Sequence, residues 1–222
     1  MTSRARATPR AAPYALGLRV KSGFAVAVAL AGPAASPVPL ARLVVQLHDP
    51  KIDATKQPFH QGFGTARESQ AEIARLAAIV ERCARQSIDA LLADDRLGGL
   101  ACCRAALVVG SVIDPAAVGS PHIRAHASEG RLFRTVIERA LDARGIEWDV
   151  LVEKALGAES AEALKRTGGE IARVIGELGR ALGRPWRAEE KAAAAAAWIA
   201  LAGGRCSPST PATASSRRAV RG

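Results

Sequence analysis

The chain has 222 residues, 49% of them hydrophobic, with 31 Lys and Arg against 21 Asp and Glu and a formal net charge of +10. That length and apolar content suffice for one domain with a full core and exclude a broadly disordered chain. No stretch is long and apolar enough to cross a bilayer as a helix, so no membrane partner is expected.

The charge is unevenly placed. Residues 1–13 carry Arg4, Arg6 and Arg10 and no acid, and residues 205–222 carry Arg205, Arg217, Arg218 and Arg221 and no acid. Seven of the ten net charges thus sit on the two tails, which leaves three for residues 14–204. The expected organisation is a disordered basic arm over 1–13, one domain over 14–204 and a disordered basic tail over 205–222. Nucleic acid is the partner class such tails suit, through salt-dependent contacts that read no sequence. Four cysteines without a Cys-x-x-Cys pair suggest neither a disulfide framework nor a thiolate zinc site, so reduced thiols and a cytoplasmic location are expected.

In chain order, "YALGLRV", 14–20, reads as a first strand and "GFAVAVALA", 23–31, as a second, joined at Ser22-Gly23. Arg-rich residues ahead of an apolar run could pass for a secretory signal. However, Arg19 and Lys21 interrupt the approach, and large residues alternate with alanines as in a strand. Residues 38–49 alternate again and predict a third strand, so the first three form an antiparallel meander. Residues 50–64 form a long loop containing His60. Thr65-x-x-Glu68 has the spacing of a capping box, and Ile73, Leu76, Val80, Cys83 and Leu91 predict a helix to about residue 93. A fourth, buried strand is expected over 101–112, with Cys102 and Cys103 on opposite faces. A helix is expected from Pro121, capped by Ser120, to Gly145. A fifth strand is expected over 147–155, helical structure over 160–183 with a break at Gly168-Gly169, and a last helix over 189–203.

This β-β-β-α-β-α-β-α order resembles the ribonuclease H-like fold in its RuvC-like arrangement. The resemblance implies an α/β domain with a five-stranded mixed sheet of order 3-2-1-4-5 flanked by helices. Its nearest approach to a motif is "ALGLRVKSG", which is similar to the family's apolar, Leu, Gly, apolar, Asp, x, Gly opening. Enzymes of the family collect carboxylates from the first strand, the fourth strand and the last helix to hold two divalent ions. Placed residue by residue, the first Asp falls on Arg19, the fourth-strand acid near Gly110 and the last-helix acids among Ala192 to Ala195. Only Glu189 and Glu190 are acidic nearby, about one turn early. The resemblance therefore implies a fold whose catalytic carboxylates are missing. The expected function is binding or scaffolding, with nucleic acid as the candidate ligand and no two-metal nuclease activity.

The alternative is an enzyme with a rebuilt site. Its candidates are Arg19 and Lys21 at the first strand's end with His122, His126 and Glu129, which share one helical stripe with Phe133. His-x3-His-x2-Glu is a spacing that could ligate Zn²⁺. The reading favoured is histidines hydrogen-bonded in the protein, with no metal and no cofactor. Arg19, Lys21, His60, Arg124 and Arg131 are the candidates for contact with an anion or a nucleic-acid phosphate. A buried Arg19 needs an acid, and Glu129, Glu189 and Glu190 are the candidates.

Overall fold

The structure, a computed structural model, describes residues 13–62 and 65–203. The expectations for the arms therefore fall almost wholly outside the described residues. Strand β1 (Tyr14–Lys21) pairs antiparallel with β2 (Phe24–Ala31), and β2 with β3 (Val38–Gln46). Strands β4 (Cys102–Val109) and β5 (Glu147–Val152) add parallel, β4 beside β1 and β5 beside β4. The sheet order is 3-2-1-4-5, the ribonuclease H-like order that the sequence predicts. The run that could have passed for a signal is β2, paired on both sides.

Helices cover both faces, which is why β1 is buried on both. Leu16, Leu18 and Val20 of β1 face α1 (Gln70–Leu92) and α2 (Pro121–Asp142), sharing a core with Val80, Ile88, Phe133 and Ile137. Ala15 points to the other face, with Val26, Val28, Ala106 and Val108. There they meet α4 (Gly168–Leu182) and α5 (Ala188–Gly203), with α3 (Leu156–Leu164) beside them. Cys102 packs on the first core and Cys103 on the second, as strand alternation requires. Cys103 is disulfide-bonded, whereas the cysteine spacing predicted reduced thiols throughout.

The last helix is apolar nearly all round because sheet and helices enclose it. Its alanines let it approach β1 very closely. A Cβ on Gly17 would lie 1.9 Å from the carbonyl oxygen of Ala193 and 2.4 Å from the amide nitrogen of Ala197.

Several boundaries differ from expectation, two of them at helix starts. The N-cap of helix α1 lies four residues later than Thr65 predicts, because the chain at Ala66 and Arg67 is held back against Phe59 and His60. Ala66 bridges to His60, the Arg67 amide donates to the Phe59 carbonyl, and Ser69 caps the helix by accepting from the Glu72 amide. The break expected in the helical region 160–183 is present just ahead of the glycine pair 168–169, which opens α4. Thr167 and Glu170 form a reciprocal capping box there, so α3 and α4 are separate.

Candidate functional site

The parallel strands β1, β4 and β5 end at one edge of the sheet, where open α/β folds place their ligands. On the α5 face of that edge lies Arg19, only 3% exposed. Its guanidinium donates to the carbonyls of Val20 (2.9 Å) and Val108 (3.3 Å) and pairs with Glu153. Glu153 follows β5 directly, in a short 3₁₀ turn over Glu153–Ala155. The acid that partners Arg19 is therefore not among the three expected from sequence. The fifth strand ends at Val152, not 155, and the next residue turns in toward β1 across the end of β4.

Lys21, on the same face as Arg19, lies 3.8 Å from Glu189 in a half-exposed pair. Glu190 is buried and accepts from the Arg187 amide at 2.7 Å, closing the start of α5, with Arg42 3.9 Å away. Both α5 acids are thus committed to cations or to the helix end. Near this edge, β1 carries the buried Arg19 guanidinium, Gly110 lies just beyond β4, and Ala192 to Ala195 of α5 are buried.

The histidines lie at the same edge but on the opposite face of the sheet, beside α1 and α2. The candidates of the rebuilt-site alternative are therefore divided: Arg19 and Lys21 face α5, while His122, His126 and Glu129 project from α2 beside the other core. What joins the α2 histidines is His60, from the loop between β3 and α1. Its ring lies 4.4 Å from that of His126 and 5.5 Å from that of His122, centroid to centroid. His122 and His126 sit on successive turns of α2, both exposed, with their Nε2 atoms 3.2 Å apart. Among the described residues, these three histidines form a group whose ligand atoms lie within 4.8 Å of one another.

His60 is 5% exposed, and Glu129 beneath it is 1% exposed. Glu129 Oε1 lies 2.8 Å from His60 Nδ1. Burial raises the Glu129 carboxyl above its usual range, opposed by the bonds from His60 and from the Phe59 amide. Burial, then the neighbouring His60 and His122, lowers His126, which favours neutral imidazole. Arg67 fixes the loop that carries His60. It donates to the carbonyls of Pro58 (3.0 Å) and His60 (2.9 Å) and pairs with Glu72 at 2.6 Å. An open cleft of about 830 Å³ lies against the cluster, lined also by Ser22, Lys56, Gln57 and Arg67.

The remaining anion candidates are engaged within the protein. Arg124 donates to the carbonyls of Val118 (2.8 Å) and Gly119 (3.0 Å), closing the segment ahead of α2. Arg131 makes an exposed pair with Asp114 at 3.3 Å. His48, the fourth histidine, follows β3 and bonds the Gly23 carbonyl of the β1–β2 turn at 2.8 Å.

No protein-family model matches the chain, and no curated protein does. Among solved structures, RuvC of Thermus thermophilus is similar at 15% identity with a TM-score of 0.45, over 84% of this chain and 92% of that one. The same protein in complex with a Holliday junction substrate is similar at 13% identity and the same score, over 84% and 91%. The strand order of the sheet, rather than this likeness, assigns the fold.

Proposed function

We propose that this chain is a ribonuclease H-like domain that works by binding, with nucleic acid as its ligand class, and that it lacks two-metal phosphodiester cleavage. The observation that carries this reading is Arg19. A buried guanidinium, bonded to two strand carbonyls and to Glu153, stands where the family pattern needs a metal carboxylate. A fixed positive charge there repels divalent cations, and its oxygen-bearing neighbours are already used. The excess of Lys and Arg over the whole chain supports a polyanionic ligand.

Two measurements on the full chain test the reading. Branched and duplex DNA incubated with the protein and Mg²⁺ or Mn²⁺ should remain intact. Fluorescence anisotropy on the same DNAs should show binding that weakens steeply with salt. Metal-dependent cutting would overturn the loss of nuclease chemistry. Absence of binding at low salt would overturn the nucleic-acid assignment.

A further inference from the structure

His60 presents an unusual problem of hydrogen bonding. Its ring is buried and its Nδ1 is bound to Glu129, yet its Nε2 has no hydrogen-bond partner among the described residues. A buried polar atom left in this state is costly and uncommon. With Nδ1–H donated to the carboxylate, Nε2 carries a bare lone pair. The next residues beside it are two more imidazoles, each able to offer a lone pair of its own.

His122 and His126 could satisfy each other through one N–H···N bond across their 3.2 Å. That arrangement leaves His60 Nε2 bare. A metal ion satisfies all three at once. Two nitrogens each ~2.0–2.1 Å from a tetrahedral Zn²⁺ lie about 3.3 Å apart, close to the spacing already present between His122 and His126. Glu129 supplies the further element such sites use, a carboxylate that holds a ligand histidine in one tautomer through its other ring nitrogen. Arg67 and the His60–Ala66 bridge hold the loop that delivers His60.

We propose that His60, His122 and His126 form a three-nitrogen site for Zn²⁺ or a comparable first-row ion, with Glu129 as the positioning residue for His60. Three neutral imidazoles select a borderline ion such as Zn²⁺, Co²⁺ or Cu²⁺ over Mg²⁺, which requires oxygen ligands. They carry no charge themselves, so only the Glu129 carboxylate behind His60 offsets part of the ion's double positive charge. The fourth coordination position faces the cleft, where water or an anionic group completes the shell. This site lies on the sheet face opposite Arg19 and does not depend on the binding function proposed above.

The test uses the untagged full chain, stripped of metal by a chelator, and Zn²⁺ or Co²⁺ alone as the probe. One Zn²⁺ per chain should bind by titration calorimetry, and Co²⁺ should give the visible absorption of a four-coordinate site. His122 and His126 are exposed, so His122→Ala and His126→Ala should keep the fold by far-UV circular dichroism while losing at least about 100-fold in Zn²⁺ affinity. Glu129→Gln should retain the stoichiometry and weaken binding roughly 10- to 100-fold. His48→Ala, outside the three-histidine group and bonded instead to the Gly23 carbonyl, should bind like the unaltered chain. Absence of saturable Zn²⁺ uptake, or uptake that survives unchanged in folded His122→Ala or His126→Ala, overturns the proposal. Nuclease assays with Mg²⁺ read the other function separately, so either reading can fail alone.

Discussion

Arg19 and Lys21 are two residues apart on one strand face, yet their ion pairs differ in worth. Arg19 is buried and its partner Glu153 is the counter-charge for a guanidinium with little access to water. Lys21 and Glu189 are both partly exposed and 3.8 Å apart. Removing the acid from the first pair strands a buried charge, whereas an exposed pair contributes little. Glu153→Ala should therefore destabilise the fold by about 2–4 kcal/mol in urea unfolding. Glu189→Ala should cost under about 1 kcal/mol. Equal effects would show that Arg19 finds water without Glu153. Cys102 offers a second expectation. Burial pushes its thiol up to about 12, so the thiolate that alkylating reagents need is scarce near neutrality. At pH 8 the Cys102 peptide should stay unlabelled by iodoacetamide in the native protein and become labelled in denaturant, read by peptide mass spectrometry. Fast native labelling would mean that the start of β4 opens readily. Strand alternation puts Arg19 on the face of Gly17, and its burial there comes from the helix packed on that face. Its partner is not legible in sequence, because the sequence pattern carries β5 on through Glu153. In three parallel strands that end together, the residue after β5 turns back across the short end of β4 to reach β1, a proximity no sequence spacing expresses.

At the scale of elements, the strands and long helices arise from period and punctuation. The alternation in 14–31, the Ser120-Pro121 start of α2 and the alanine-rich last helix each predict what is found. The failures come where two local signals compete. Thr65 and Glu68 have capping spacing, but their segment is drawn into the fold-back around His60, and Ser69 takes the cap. The interruption expected at Gly168-Gly169 is found just ahead of it, where Thr167 and Glu170 cap a new helix, α4. His60 belongs to the same class of difficulty. A loop of this length has no periodicity to place its side chains, so sequence alone does not join the third histidine to the other two. One signal is available: Glu129 lies on the core-facing stripe of α2, and a buried carboxylate requires a partner from elsewhere. Gly17 is the element-scale position most sensitive to change. With backbone atoms of α5 at 1.9 and 2.4 Å from where a Cβ would stand, the helix must move away from β1 to admit one. Gly17→Ala should cost about 3 kcal/mol or more in denaturant unfolding, at the upper end of overpacking effects. A neutral result would mean that α5 slides without loss of packing.

For the whole molecule, the question is where the positive charge acts. The net charge is +10, yet residues 14–204 carry only three of those charges and the tails carry seven. Within the domain, Arg19, Arg67, Arg104, Arg124 and Arg131 are each bonded to acids or carbonyls of the protein, while Arg75, Arg82 and Arg85 stand exposed on α1 among acids that hold the domain's net charge to three. The tails contain no acids to neutralise them. Affinity for DNA should therefore come chiefly from residues 1–13 and 205–222, by displacement of counterions. Each phosphate neutralised contributes about 0.9 to the slope of log K against log salt, so seven tail charges account for a slope of about 6 at most. A chain trimmed to 14–204 should bind duplex DNA far more weakly than the full chain, with the slope reduced to that expected of one to three contacts. With both chains kept reduced, so that trimming removes charge and not also a disulfide, circular dichroism of the trimmed chain should be unchanged in its α/β signature, since no described core residue lies in the removed segments. Trimmed and full chains with the same affinity and slope would place the binding surface on the domain itself. Arg75, Arg82 and Arg85, exposed along α1, would then be the first residues to alter.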